Sequence, residues 1–314
     1  MIIPAVLLSY AVLTATVGGR WLQAMRWPDR SPLVGIWAWQ VLSASTVAAA
    51  VLAGMTLTVP VLPFGDQAAH LLHACWLAIQ QRYSTAGGAA AATVGMLAAA
   101  AVIARLGLAL LQTWRQVRRC RRRQRQRIAL LAAPGVSSLV AVPDARSLVY
   151  CLPGRRGLVV YTTAAQGLLD PAQLQAVLAH ERAHLGERHD LPLLGAAALR
   201  AAFPFVPAFR RAEAQICQLV EMRADDVAAA QHPRRVLAEA LVLLAGAQVP
   251  RSALGAGGAS AVLRCERLLG PRHPLGRRSL PIAVAGLALT VLPLLIAALP
   301  AAIALVLDYC PPGI

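Results

Sequence analysis

His180, Glu181 and His184 stand in the order H-E-x-x-H within a polar stretch of an otherwise apolar chain. Four residues apart on a helix, two imidazoles project from one face, about 5–6 Å apart at Cβ. At that separation two ring nitrogens can share one Zn²⁺, each at about 2.0–2.1 Å. A carboxylate beside the first histidine then faces the water to be activated, which is the arrangement of a helical metalloprotease motif. The pattern is short, and two histidines four apart are often mere polar surface. A downstream carboxylate strengthens it: Glu221 lies in Leu-Val-Glu-Met-Arg-Ala-Asp-Asp (219–226), and Asp225 follows one turn later on the same face. Glu221 is the candidate third ligand, and Asp225 is placed to orient a ligand histidine. Three protein ligands leave a fourth position for water, as catalytic zinc requires. Glu181 is assigned the proton transfer. Arg264 and Arg223 are candidates, by charge alone, for stabilising an oxyanion.

The elements that must position these groups are legible around them. Asp170 suits a helix N-cap, Pro171 the first helical position and Gln173 a capping box, while Gly186 is the expected terminator. Leu178, Ala179 and Leu185 are apolar, so the histidines sit at a buried seam. Strands are expected at 138–142, 147–152 and 157–161, with a turn through Pro153-Gly154-Arg155-Arg156-Gly157. Such strands offer an edge on which a peptide substrate can pair. Helices follow at 191–202, 207–231 and 234–246, and 250–260 reads as a flexible Gly/Ser/Ala loop. Its Arg251-Ser252 step is a candidate site of self-cleavage.

Composition then places this block in a membrane protein. The 314 residues are 58% hydrophobic and only 14% charged, with a mean hydropathy of +0.58. Apolar runs at 2–19, 33–58 and 87–113 read as three spans joined by a basic loop and an external loop at 61–86. Residues 71–79 suggest a short amphipathic helix in that loop. The first run is followed, not preceded, by arginine, so it reads as an uncleaved span. The net charge is +16, and every basic residue is arginine. Eight of the arginines fall in 115–127. That run, 114–127, reads as a cytoplasmic linker held at an anionic leaflet. Arg105, near the end of the third run, is expected to snorkel. Residues 128–278 form the inserted domain, and 279–314 a fourth span with a short external tail, kinked near Pro293 or Pro300. Both termini are then external and the domain cytoplasmic. Direct nucleic-acid binding is not expected, because the basic run abuts a span. Cys75 and Cys310 alone would lie outside, paired or free.

The motifs His180-Glu-Arg-Ala-His184, Arg188-His189-Asp190 and Glu221-x-x-Ala-Asp225, with three spans before the domain and one after, make the chain resemble the membrane metallopeptidases of BlaR/MecR antibiotic-sensing transducers. The resemblance covers most of the chain. It implies a four-span α-helical membrane protein with an inserted α+β zincin-like (gluzincin) domain. It also implies zinc on His180, His184 and Glu221, catalysis by Glu181, and signalling by cleavage of the protein itself or of a BlaI/MecI-like repressor. Those sensors carry an extracellular penicillin-binding domain after the last span. Here seven residues follow Leu307 and no S-x-x-K occurs, so β-lactam acylation is not expected. Two alternatives stand beside it: a processing or quality-control peptidase similar to HtpX or the CAAX proteases, and a non-catalytic membrane transducer.

Overall fold

A computed structural model describes residues 2–58, 86–131, 138–154, 157–248, 256–271 and 279–309. The N-terminal run is helical as α1 (Ile2–Leu13), a π-helical turn at Thr14–Gly18, and α2 (Gly19–Ala24). A one-turn helix α3 (Trp27–Arg30) leads into α4 (Pro32–Thr58), and α5 runs over Ala86–Leu131. By length and composition three stretches are able to cross a membrane: Ile2–Ala24, Pro32–Leu57 and Gly87–Leu130. At 46 residues, α5 is about 70 Å long, more than twice a hydrocarbon core of roughly 30 Å. The arginine-rich stretch expected as a linker is therefore the far half of one continuous helix. No Gly or Pro occurs between Leu108 and Leu131 to interrupt it.

The C-terminal apolar run forms α12 (Ser279–Tyr309), which includes the apolar helical segment Val284–Leu299. It packs on α1 and α4. Pro293 is fully buried there. Having no N–H, it leaves the carbonyl of Leu289 without its helical donor. Ser45 Oγ donates to that carbonyl at 2.6 Å and Tyr10 Oη at 3.1 Å. The apolar surroundings make such replacement donors necessary. On the other side of α4, an added Cβ on Gly95 would lie 2.5 Å from the carbonyl oxygen of Gly54, and one on Gly54 would lie 2.6 Å from that of Gly95. Two glycines thus let α4 and α5 cross with backbones nearly touching.

The polar block opens with β1 (Leu139–Val142), β2 (Val149–Leu152) and β3 (Leu158–Thr162), close to the expected strands. The sheet order is β1-β3-β2, with β1 parallel and β2 antiparallel to β3. β2 is consequently an edge strand. A short helix α6 (Thr163–Leu168) precedes α7 (Pro171–Gly186), the helix carrying the histidines. The capping box is formed: Gln173 N–H donates to Asp170 at 2.8 Å, and Asp170 N–H to Gln173 Oε1 at 3.1 Å. The remaining helices are α8 (Asp190–Ala202), α9 (Pro207–Ala228), α10 (Arg234–Gln248) and α11 (Ala256–Leu269). The loop expected over 250–260 is thus already helical from Ala256. Arg251 and Ser252 lie outside the described residues, as do 71–79, Cys75 and Cys310. The described cysteines, Cys120, Cys151, Cys217 and Cys265, are free.

Two cores hold the block. One joins Ala176, Val177 and Ala179 of α7 to Leu237, Ala238 and Ala240 of α10 and Leu268 of α11. The other docks α9 on the N-terminal apolar helices, with Ile216, Leu219 and Met222 against Leu22, Ile36 and Trp39. Small residues permit that approach. A Cβ on Gly19 would lie 3.1 Å from the Ala208 Cβ, and one on Gly35 would lie 3.0 Å from Leu219 Cδ1. The turn between α8 and α9 reaches along the apolar part of the spans, where Phe203 and Phe209 pack with Val47, Val102 and Leu106. Arg105 does not simply snorkel: its Nε donates to the carbonyl of Ala202, at the C-terminus of α8. The last carbonyls of a helix lack intrahelical donors and carry partial negative charge, so a guanidinium suits the place.

Candidate metal centre

α7 presents His180 and His184 on one face, and α9 brings Glu221 opposite them. His180 Nε2 lies 3.1 Å from His184 Nε2. The Glu221 carboxylate places one oxygen 3.4 Å from His180 Nε2 and the other 3.5 Å from His184 Nε2. A tetrahedral ion with ligands at about 2.0–2.2 Å separates them by about 3.3–3.6 Å. The two ring nitrogens lie slightly closer than that, and Glu221 offers a different oxygen to each ring, so its carboxylate straddles the space between them. His180, His184 and Glu221 are the group of potential metal ligands found among the described residues, with ligand atoms within 4.8 Å of one another. Two imidazoles and a carboxylate are a donor set suited to zinc.

Around the triad the expected partners fall into place, and others join them. Asp225, 1% exposed, puts Oδ1 2.9 Å from His180 Nδ1. The Nε2 of His180 is thereby turned toward the triad. Arg264, from α11, binds Asp225 through Nε at 2.8 Å and Nη2 at 2.7 Å, and Glu221 through Nη1 at 3.0 Å. One guanidinium thus fixes both carboxylates and lies 3.4 Å from His180 Nε2. Arg223, the other cation singled out by charge, is turned to Glu187, with Nε donating at 2.8 Å. Arg267 on α11 ties the same region to α3, bonding Asp226 at 2.7–2.8 Å and the carbonyl of Asp29 at 2.7 Å.

His184 is held by groups to which the motif assigns no part. Its Nδ1 lies 3.0 Å from Nδ1 of His189, whose Nε2 lies 3.2 Å from Glu187 Oε2. A consistent set of tautomers exists. His184 donates from Nδ1 to His189, His189 donates from Nε2 to Glu187, and His184 Nε2 keeps its lone pair for a metal. The chain reaches this arrangement through a tight reversal. α7 ends at Gly186, yet the left-handed residue is Arg188, with φ 52°. A non-glycine residue there is uncommon and carries strain. The reversal returns His189, five residues beyond His184, to the ring it supports. Helical spacing alone gives no hint of this, because residues five apart on a continuous helix do not share a face.

Electrostatics follow the geometry. Burial disfavours protonation of His180, but the bonds to Asp225 and Glu221 outweigh it and push its pKa up to about 9. Burial and the neighbouring His180 charge pull His184 down to about 4. For Glu221, burial is outweighed by His180 and Arg264, which hold it at about 2, and Arg264 and His180 do the same for Asp225. Glu181 is raised, chiefly by burial, and the thiol of Cys151 on β2 bonds to it. Burial and the Glu181 charge push that thiol up, so it is a neutral donor. A carboxylate whose pKa is raised holds a proton more readily than an ordinary one, which suits a proton-transfer role.

The site is a cluster of potential metal ligands beside apolar helices of membrane-spanning length. Residues 118–256 match the model of Peptidase family M48, and this match supports a metallopeptidase. The matched segment begins in the arginine-rich half of α5 and contains all three triad residues. It speaks for the metallopeptidase class and not for the BlaR/MecR transducers in particular. No curated protein matches the chain, and no solved structure does.

Proposed function

We propose that the protein is an integral-membrane zinc metalloendopeptidase that cleaves peptide bonds on the cytoplasmic side of a four-span chain. The observation that carries this reading is the convergence of His180 Nε2, His184 Nε2 and the Glu221 carboxylate, with ligand atoms within 4.8 Å of one another. Zinc bound there would polarise the scissile carbonyl and acidify the attacking water. Glu181 takes the proton from that water and returns it to the leaving amine. Arg264 holds Glu221 and Asp225 in place, and its charge beside the triad supports the oxyanion as it develops. The edge strand β2 offers backbone groups on which an extended peptide pairs. The concentration of arginine along the far half of α5 supports the cytoplasmic placement.

The role proposed for the activity is signalling by cleavage of a repressor of the BlaI/MecI kind or of the protein itself, on the strength of the resemblance in motif and layout. A second reading is a processing or quality-control peptidase similar to HtpX or the CAAX proteases. The match to Peptidase family M48 is compatible with it. Glu181→Gln separates hydrolysis from scaffolding. The variant should keep its zinc and lose cleavage by about 10²–10⁴-fold. A comparison of cytosolic protein N-termini between wild-type and Glu181→Gln cells should show one repressor-like substrate under the first role and many membrane proteins under the second. Identical N-termini in the two strains would overturn the peptidase reading.

A further inference from the structure

A cavity of about 1120 Å³ lies beside His184, between α7 and the arginine-rich half of α5. Its wall on the α5 side is built from Arg118, Arg121, Arg122 and Arg125. Their spacing of three and four residues places them on one helix face. Arg115, Arg119 and Arg123 line a different surface. Arg188, at the reversal after α7, adds a fifth cation to the cavity. Two carboxylates oppose them, and both are engaged: Asp190 with Arg121 at 3.2 Å, and Glu213 with Arg200 at 2.5 Å. Among the described residues neither Arg118 nor Arg122 has a carboxylate partner. Arg118 is steadied instead by Trp114, with its guanidinium carbon 4.4 Å from the ring centroid. Arg125 reaches across the cavity to donate to the carbonyl of Leu152 at 3.2 Å, where β2 ends. The edge strand, the zinc-ligand helix and the arginine face therefore border one space.

We propose that this cavity selects peptide substrates carrying a short run of Asp or Glu beside the cleaved bond, with Arg118 and Arg122 as the recognising residues. Membrane topology asks only that arginines lie on one side of the bilayer. It does not ask that four of them face the catalytic helix. From Arg118 to Arg125 the helix rises about 10 Å, which matches about three residues of extended peptide. A basic segment would meet uncompensated repulsion in the same place. The proposal rests on the peptidase reading above for the identity of the ligand as substrate.

The test uses the full-length, zinc-loaded Glu181→Gln protein in detergent, with two fluorescent decapeptides that differ only in a block of three Glu or three Gln. Anisotropy should show the acidic peptide binding about tenfold tighter at low salt. The preference should shrink as ionic strength rises. In the added Arg118→Gln/Arg122→Gln background it should fall to near unity. Equal binding of the two peptides, or a preference that survives both the double substitution and high salt, overturns the proposal. So does displacement of the acidic peptide by micelles doped with anionic lipid at equal charge, which would assign the arginines to headgroups. Cleavage by the wild-type protein is measured alongside. Cleavage without charge preference spares the peptidase reading and removes this one. Acidic preference without cleavage of any peptide removes the peptidase reading and leaves the ligand preference standing.

Discussion

His189 Nδ1 sits 3.0 Å from His184 Nδ1, and the support continues through Glu187 to Arg223. His189 is only 4% exposed. A ring so placed fixes the tautomer of His184 and the direction of its free lone pair. Removing such a partner typically costs about 10–100-fold in metal affinity. His189→Ala should therefore weaken zinc binding by that factor in chelator competition, with the helical circular dichroism unchanged. Retention of wild-type affinity would show that His184 needs no such support.

The Glu187–Arg223 contact also gives a pH signature. Bonding to Arg223 holds the Glu187 carboxyl below its ordinary value of 4.5. A carboxylate lowered on folding contributes stability that is present above its unfolded pKa and is lost as the pH falls through the folded one. The window thus lies below about pH 4.5. Both partners are partly exposed, so the contribution is about 1 kcal/mol at most. Thermal unfolding from pH 6 to 3 should show a steeper fall for the wild type than for Glu187→Gln.

Among the apolar helices, the Leu289 carbonyl accepts from Ser45 and Tyr10 because Pro293 cannot donate. Ser45→Ala alone should be mild, since Tyr10 Oη remains at 3.1 Å. The double variant Ser45→Ala/Tyr10→Phe leaves the acceptor unsatisfied at an expected cost of about 1–3 kcal/mol. Denaturant titration in micelles measures it. Equal effects of the single and double changes would show that Tyr10 does not serve the carbonyl.

The crossing of α4 and α5 at Gly54 and Gly95 admits no side chain. Gly95→Leu should force the helices apart and lower the unfolding temperature in detergent. Gly107→Leu, on the same helix with nothing within 4 Å of an added Cβ, should be tolerated. Equal stability of the two variants would refute the close crossing.

What the sequence determined by itself is what contacts within a few residues control. Asp170, Pro171 and Gln173 specify where α7 begins, and four-residue spacing puts His180 and His184 on one face. The same spacing places Asp225 one turn from Glu221, and apolar runs of sufficient length mark the spans. α7 ends at Gly186 as expected, but the reversal after it was not legible, because the left-handed residue is Arg188 rather than a glycine. Tertiary packing decided the rest. Glu221 meets histidines some forty residues away only because Leu219 and Ile216 seat α9 on Trp39 and Ile36, opposite α7. Arg264 reaches two carboxylates only through the placement of α11, and His189 supports His184 only through a strained reversal. Contacts between distant residues depend on how apolar faces pack. A hydrophobic pattern says that such a face exists, but the shapes on both sides decide which partner it meets.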